Sequence, residues 1–211
     1  MLEALTRHPD IRLALHYSGP LLDWLSANRP DHLRRLATLV SREQVELLTG
    51  AYYEPILATI PDADKLGQVR KMTDFLIERF GYPATGAWVA ERVWEPHLPK
   101  ALVEAGVTYT LLDDTPFKMV GLDDDDLFGP HMTEEQGYAL KVFGNVMHLR
   151  YAIPWRPVDE VIEWLRQRAR DHPGGVAVSG DDGEKFGLWP NTWDHCWGED
   201  GWIERFFAAL E

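Results

Sequence analysis

Two short apolar runs in this sequence each end abruptly in carboxylates, glycines and aromatic side chains. The first run, Gly86 to Ala90, is followed by Glu91 and then by Pro96, which favours the first turn of a new helix. The second run, Val176 to Val178, is followed by a segment that contains Asp182. Catalytic groups of a parallel α/β barrel gather where its strands end, so we expect Glu91 and Asp182 to meet across a cleft.

A pair of carboxyl groups suits the cleavage of a glycosidic bond, because one attacks or stabilises the sugar carbon and the other protonates the leaving oxygen. Trp88 and Trp94 flank the first carboxylate and offer flat apolar faces to a sugar ring. Arg92, next to Glu91, favours the ionised form of that carboxylate. The alternative is a salt-bridged Glu91–Arg92 pair beside two core tryptophans, and this stretch alone leaves that alternative open.

Five segments of the chain resemble segments of glycoside hydrolase family 57. WVAERVWEP (88–96) and DDGEKFGLWP (181–190) resemble two of its signatures, and GAYYEPIL (50–57) resembles a third. LALHYSGPLLDWL (13–25) and LRYAIPWRP (149–157) extend the resemblance, which follows the family's order over nearly the whole chain. The resemblance is closest to the family's 4-α-glucanotransferase and α-amylase-like members.

The resemblance implies a retaining reaction in which Glu91 matches the nucleophile and Asp182 matches the acid/base. Asp182 is placed by aligning Asp-Gly-Glu-Lys-Phe-Gly with the family's pattern, and Asp181, one residue away, is the alternative. In a retaining enzyme the two carboxyl groups lie about 5–5.5 Å apart. The acid/base must hold a proton near neutral pH, which requires desolvation or a neighbouring carboxylate.

Further residues are predicted to contact the substrate, either from their positions at strand ends or from the resemblance. They are His16, Tyr53, Glu54, Trp88, Arg92, Trp94, Asp113, Glu184 and Trp189. The alternatives remain a structural histidine for His16, a surface turn for Glu54 and a helix cap for Asp113. The expected substrate is an α-glucan or a maltooligosaccharide, and the proposed chemistry requires no metal and no cofactor.

Composition favours one globular domain over residues 1–211, with 45% hydrophobic and 26% charged residues, and the resemblance implies that this domain is a partial catalytic barrel. The net charge of −13, from 21 basic and 34 acidic residues, disfavours nucleic acid and anionic membranes as partners. Cys196 is the single cysteine, so no internal disulfide can form. The sequence shows no signal peptide and no apolar run of about 18 residues, so a cytoplasmic protein is expected.

Alternating strand and helix patterns indicate an α/β fold with a parallel sheet, which the resemblance sharpens to a (β/α)7 barrel. The clearest helix pattern covers Asp62 to Phe80, and strands are predicted over Leu140 to Phe143 and over Val146 to Ile153. Gly121 to Tyr138 is the least regular region. Its four consecutive acids, Asp123 to Asp126, indicate a solvated loop or a helix start.

Three departures from the family suggest an incomplete barrel. The family's first strand carries a histidine motif, and this chain begins after it; the long C-terminal regions are also absent, and Gly180 stands where a histidine is expected. A missing parallel strand exposes an unpaired edge. The alternative hypothesis is therefore a truncated or degenerate barrel that binds glucan without independent catalysis. Such a barrel would need a partner chain, or self-association, to cover the open edge.

A third hypothesis is a metal-dependent polysaccharide deacetylase, which can share a seven-stranded barrel. That chemistry needs clustered histidine and aspartate ligands. The candidate histidines, His16, His97, His131 and His148, do not form such a pattern in the sequence. The sequence therefore disfavours this hypothesis.

Overall fold

A computed structural model describes all residues from Met1 to Glu211. Its strands are β1 (Leu13–Leu15), β2 (Val45–Leu47), β3 (Thr49–Gly50), β4 (Gly86–Trp88), β5 (Tyr109–Leu112), β6 (Pro130–Glu135) and β7 (Tyr138–Gly144). Its helices are α1 (Leu2–Arg7), α2 (Gly19–Asn28), α3 (Pro30–Ser41), α4 (Asp62–Phe80), α5 (Leu98–Glu104), α6 (Asp114–Met119), α7 (Met147–Ala152), α8 (Val158–Asp171), α9 (Thr192–Trp197) and α10 (Trp202–Leu210). None of the helices is long and apolar enough to span a bilayer.

The strands form one curved, mainly parallel layer. β1 pairs with β2, and β3, β4, β5 and β7 pair in that order, all in parallel. The two sheets are continuous in sequence, because only Leu48 separates β2 from β3. After β7, Asn145 forms a parallel bridge with Val178, which extends the layer to the segment that carries Asp182. The predicted α/β fold with parallel strands is confirmed.

The barrel is open beside β1, which has β2 as its only strand neighbour. Ala14 in this edge strand is exposed, and the leucines on either side of it are half-buried. The helices that flank the gap nevertheless meet. His8, just after α1, contacts Glu204 of α10 at 3.1 Å and Glu211 at 2.9 Å. The barrel is therefore incomplete in its strand layer, while its outer helices contact each other across the gap.

Two predictions of secondary structure between Gly121 and Ile153 were wrong. The predicted strand from Val146 to Ile153 is helix α7, because β7 ends at Gly144 and the chain turns once the Val146 N–H has bonded to the Val178 carbonyl at 2.8 Å. Its buried residues Leu149 and Ala152 are three apart, a spacing that suits a helix. The region predicted to be irregular contains β6, which pairs antiparallel with β7 on the outside of the parallel layer.

Helix α4 has the predicted bounds, and its ends show why. Asp62 and Asp64 lie in its first turn, where the helix dipole favours negative charge. Gly81 terminates the helix in a left-handed conformation with φ of 63°. Val69, Met72 and other buried apolar residues face the strand layer. The helix therefore anchors the β3 and β4 side of the barrel without contributing a site residue.

Candidate active site

The loop after β4 holds Glu91 and Arg92 in an unusual backbone conformation. Both residues have positive φ, 53° for Glu91 and 52° for Arg92. Residues other than glycine rarely adopt this region of backbone conformation. The turn directs the two side chains differently, since Glu91 is exposed and Arg92 is buried. The expected ion pair between these neighbours does not form. Arg92 pairs with other carboxylates, and Glu91 makes no ion pair within 4.0 Å.

Six charged side chains at the strand ends alternate in sign, and we call them the charge chain. In spatial order they are Asp182, Arg92, Asp113, Arg150, Asp181 and Lys185. They come from the loop after β4, the end of β5, helix α7 and the segment after Val178. Separate stretches of the sequence therefore converge on one edge of the barrel, although Glu91 is not among the six side chains.

Arg92 joins the loop of Glu91 to the segment of Asp182. Its Nε lies 3.1 Å from an Asp113 carboxylate oxygen, and its Nη1 lies 3.8 Å from Asp182 Oδ1. The guanidinium also lies 5.2 Å from the centre of the Trp88 ring, in cation–π contact. This indole therefore supports Arg92 as well as lining the strand end. Because Arg92 follows Glu91 directly, its contact with Asp182 joins the two loops that carry these carboxylates.

The other half of the charge chain is more deeply buried. Arg150 places Nη1 3.5 Å from Asp113 Oδ2 and Nε 3.4 Å from Asp181 Oδ1. Lys185 donates to Asp181 and to the backbone carbonyl of Arg150. The side chains of Lys185 and Asp181 are only 3% and 8% exposed, whereas that of Asp182 is 43% exposed. The adjacent aspartates thus occupy different environments, Asp181 in the interior and Asp182 at the open end.

Asn145 fixes the segment of Asp182 to the end of β7. Its side chain is fully buried and donates to Asp113 Oδ1 and to the Gly180 carbonyl, both at 3.0 Å, while its Oδ1 accepts the Gly180 N–H at 3.0 Å. A Cβ on Gly180 would lie 2.6 Å from Leu111 Cδ1 and 3.1 Å from the Trp88 ring. A histidine at this position would therefore require Leu111 to move, whereas glycine fits the present packing.

A second pair of predicted residues meets at the ends of β1 and β3. His16 Nε2 lies 3.5 Å from Glu54 Oε1, and His16 Nδ1 lies 3.2 Å from the Leu48 carbonyl. Glu54 has a positive φ of 51°, so it shares the backbone conformation of Glu91. A Cβ on Gly50 would lie 2.7 Å from His16 Cε1, so the small residue is needed for the imidazole to fit.

Four of the predicted substrate contacts lie apart from the charge chain. The Tyr53 ring packs under the Lys71 ammonium, 4.2 Å from the ring centre. Trp94 is half-buried and packs against the core. Glu184 is exposed on a 3₁₀ turn, where its carbonyl accepts the Trp189 N–H at 3.1 Å, and Trp189 is itself partly exposed. No contact among these side chains links them to the charge chain.

Three residues of the site had no role assigned from the sequence, namely Asn145, Arg150 and Lys185. Arg150 and Lys185 lie inside segments that resemble the family, and Lys185 directly follows Glu184, but no acid stands next to Arg150 in the sequence to mark its role. Asn145 directly follows β7, and the rule that polar residues at strand ends form the site could have found it. The histidines considered as metal ligands belong to no group of three or more His, Cys, Asp or Glu side chains placed to hold a metal ion. His131, for example, bonds the Asp126 carbonyl at 2.9 Å.

An open parallel α/β barrel with carboxylates and arginines at its strand ends is typical of a barrel-type enzyme domain. The chain belongs to glycosyl hydrolase family 57, whose sequence profile matches residues 1–208. It is 45% identical over 205 residues to Alpha-amylase 1 of Dictyoglomus thermophilum, covering 97% of this chain and 30% of that protein. It is 44% identical over 209 residues to 4-alpha-glucanotransferase of Thermococcus litoralis, covering 99% of this chain and 31% of that protein. The resemblance to this family is confirmed.

The crystal structure of the Thermococcus litoralis 4-alpha-glucanotransferase superposes with a TM-score of 0.95 over 99% of this chain and 32% of that one, at 44% identity. An α-amylase from Thermotoga maritima matches at a TM-score of 0.70 and 14% identity, over 98% of this chain and 63% of that one, which shows a shared fold alone. The chain thus spans about a third of the length of the curated relatives it matches.

Proposed function

We propose that this chain forms the catalytic barrel of a retaining α-glucan-active glycoside hydrolase or transglycosylase acting on α-1,4-glucan. The observation that supports the proposal is the contact of Arg92, which directly follows Glu91, with Asp182 Oδ1 at 3.8 Å, because it joins the two segments that carry the proposed catalytic acids. Family membership and relatives named as α-amylases and 4-alpha-glucanotransferases support this class of substrate and reaction.

In the proposed mechanism the Glu91 carboxylate attacks the anomeric carbon and displaces the leaving glucan, whose oxygen takes a proton from Asp182. The resulting glycosyl–Glu91 ester is attacked by water or by a glucan hydroxyl, and Asp182 takes back the proton. Glu91 suits the first role because it is exposed and makes no ion pair, so its oxygens are free to reach a substrate.

The same geometry favours Asp182 over Asp181 as the acid/base. Both Asp181 oxygens are held by cations, one by Lys185 and the other by Arg150, and the side chain is buried. It therefore cannot hand a proton to a glycosidic oxygen. Asp182 lies at the exposed end of the charge chain, where a substrate can reach it. The desolvation that the acid/base role requires is not supplied by the protein here, since Asp182 is 43% exposed and its one charged contact is Arg92, so the bound glucan would have to supply it.

The remaining predicted contacts divide into two proposed roles. His16 and Glu54 lie together at the same barrel edge and can donate to and accept from sugar hydroxyls. Glu184 and Trp189 lie on the segment that follows Asp182, and their exposure allows them to contact the glucan. Trp88 and Asp113, in contrast, support Arg92 and would act on the substrate through it.

A second candidate function is favoured by the open edge at β1. The exposed Ala14 and the unpaired side of this strand suit a barrel that binds glucan and becomes catalytic only when another strand, from a partner chain or from self-association, covers the edge.

The test is turnover of maltoheptaose by the intact chain, followed by chromatography of the products and by NMR of the first-formed anomer. We expect retained α-configuration, and we expect Glu91→Gln and Asp182→Asn each to lower turnover by about 10³-fold or more. Glu95→Gln, an exposed glutamate in the same loop, is the matched control and should leave turnover unchanged. Turnover that survives both active-site substitutions would contradict the proposal. Calorimetric binding of maltoheptaose without turnover would support the second candidate.

A further inference from the structure

Lys185 is the most buried cation of the charge chain and lies at its interior end. Its side chain is 3% exposed, and its ammonium contacts only Asp181 and the Arg150 carbonyl. A lysine at such depth is costly unless its charge is matched, and Asp181 supplies the matching charge. Lys185 has no access to the cleft, so any effect that it has on chemistry must pass through the residues that it touches.

The contacts of Asp181 lead directly to the proposed acid/base. Asp181 Oδ1 accepts the backbone N–H of Asp182 at 3.0 Å, and the Asp182 carbonyl accepts the Lys185 N–H at 3.2 Å. Asp182 is therefore held on both sides of its backbone. Arg150 links the same carboxylate to Asp113, which in turn holds Arg92, the cation nearest to Asp182.

We infer that Lys185 is a positioning residue that fixes the direction of the Asp182 carboxyl group, acting through Asp181. This inference rests on the proposed function for the role of Asp182. Removing the Lys185 ammonium leaves Asp181 Oδ2 buried without its cation, so we expect the carboxylate to rotate about its remaining contacts toward solvent. The hydrogen bond to the Asp182 N–H is then lost, and the acid/base moves away from the glycosidic oxygen. Because substrate binding elsewhere in the cleft is untouched, kcat should fall while KM changes little.

The chain contains a matched control in Lys65 on α4. This lysine is also buried, with 5% of its side chain exposed, and it pairs with Asp62 at 2.6 Å. Its partner is exposed and holds no residue of the site. Lys65→Met therefore removes the same kind of ion pair, with the same side-chain change, at a position unrelated to Asp182.

The experiment compares maltoheptaose kinetics of Lys185→Met, Lys65→Met and the double variant Lys185→Met/Asp181→Asn. Misplacement of a catalytic group by about 1 Å costs about 100-fold in rate, so we expect kcat of Lys185→Met to fall by about that factor, with KM within about twofold. Lys65→Met should stay within about twofold in kcat. The double variant removes both buried charges, and the introduced amide keeps an oxygen that can accept the Asp182 N–H, so it should regain part of the kcat lost in Lys185→Met. A double variant with kcat no higher than that of Lys185→Met, or an equal loss in Lys65→Met, would overturn the inference.

A second variant and a second measurement test the same role of Lys185. If Lys185→Met does not fold, Arg150→Lys replaces it, because a lysine keeps the charge of this less buried position but cannot bridge Asp113 and Asp181; kcat should then fall by about tenfold. If the wild-type chain shows no turnover, which counts against the proposed function alone, amide hydrogen exchange is the readout. Exchange of the Asp182 N–H should rise at least about tenfold in Lys185→Met, and unchanged exchange would overturn the inference.

Discussion

The two proposed catalytic carboxyl groups are held in opposite ways. Glu91 is exposed, pairs with nothing and depends on a backbone in which two successive residues have positive φ. Asp182 has an ordinary extended backbone, with φ of −71°, and depends on neighbouring side chains instead. Asn145 ties down the glycine two residues before it, and Asp181 accepts its own N–H.

This difference follows from the position of each loop on the barrel. β4 lies inside the sheet between β3 and β5, so the loop after it starts from a strand paired on both sides and needs few added contacts. The segment before Asp182 has only the single bridge between Asn145 and Val178. Side-chain hydrogen bonds and ion pairs therefore replace the missing ladder of backbone bonds. Substitutions near Asp182 should therefore change stability by removing side-chain contacts. Substitutions at Glu91 should change it by relieving or adding backbone strain.

The largest expected effect is at Asn145. Asn145→Ala removes three hydrogen bonds and leaves the Gly180 N–H, the Gly180 carbonyl and one Asp113 oxygen without this partner. We expect the free energy of unfolding in urea to fall by about 3 kcal/mol, since each buried unsatisfied group costs about 1–3 kcal/mol. The control is Asn28→Ala, whose exposed amide donates only to the Trp24 carbonyl, and it should change the stability by less than about 0.5 kcal/mol. A loss below about 1 kcal/mol for Asn145→Ala would show that Asn145 does not hold the segment.

Gly180 should show a smaller effect of a different origin. The added methyl group of Gly180→Ala would lie 2.6 Å from Leu111 Cδ1, so Leu111 or the loop must move. We expect a loss of about 1.5 kcal/mol, in the range for overpacked sites. Gly183→Ala is the matched control in the same segment, where a Cβ meets nothing within 4 Å, and its stability should be unchanged or slightly raised. Equal stabilities for the two alanine variants would mean that the segment adapts without strain.

Much of the fold followed from the sequence because apolar runs and helical periods are local signals. The bounds of α4 were predicted, and so were the strand ends before Glu91 and Asp113. The strand predicted from Val176 to Val178 was wrong, since this run before Asp182 forms only a single bridge at Val178. The failure at α7 has a local cause, since Val146 to Ile153 mixes apolar and polar residues in a way that fits either a strand or a helix. The helix forms because Asn145 pairs with Val178, which lies 33 residues away in the chain, and this pairing ends the strand before Val146.

The site was predictable in its acids but not in its pairings. Glu91 and Asp182 stand out in the sequence, yet proximity in sequence suggested that Arg92 would pair with Glu91. The positive φ at both residues separates the neighbours and sends the guanidinium to Asp113 and Asp182. Backbone conformation of this kind has no marker when the residue is not glycine. The anchoring roles of Arg150 and Lys185 likewise depend on contacts between distant segments.

The smallest effect should have the opposite sign and is expected at Glu91 itself. Glycine adopts positive φ at no steric cost, whereas other residues cost about 1–2 kcal/mol there, and the exposed Glu91 carboxylate has no ion pair to lose. Glu91→Gly should therefore raise the free energy of unfolding by about 1 kcal/mol while it abolishes turnover.

The control is Glu95→Gly, which changes an exposed glutamate four residues later that has no positive φ. It should lower the free energy of unfolding by about 0.5–1 kcal/mol through the added freedom of the unfolded chain. If both glycine variants lose stability equally, the backbone at Glu91 is not strained, and the Glu91 loop does not differ from the Asp182 segment in the proposed way. If Glu91→Gly is more stable than the wild-type chain and Glu95→Gly is not, the strain at Glu91 is kept because the position needs a carboxylate.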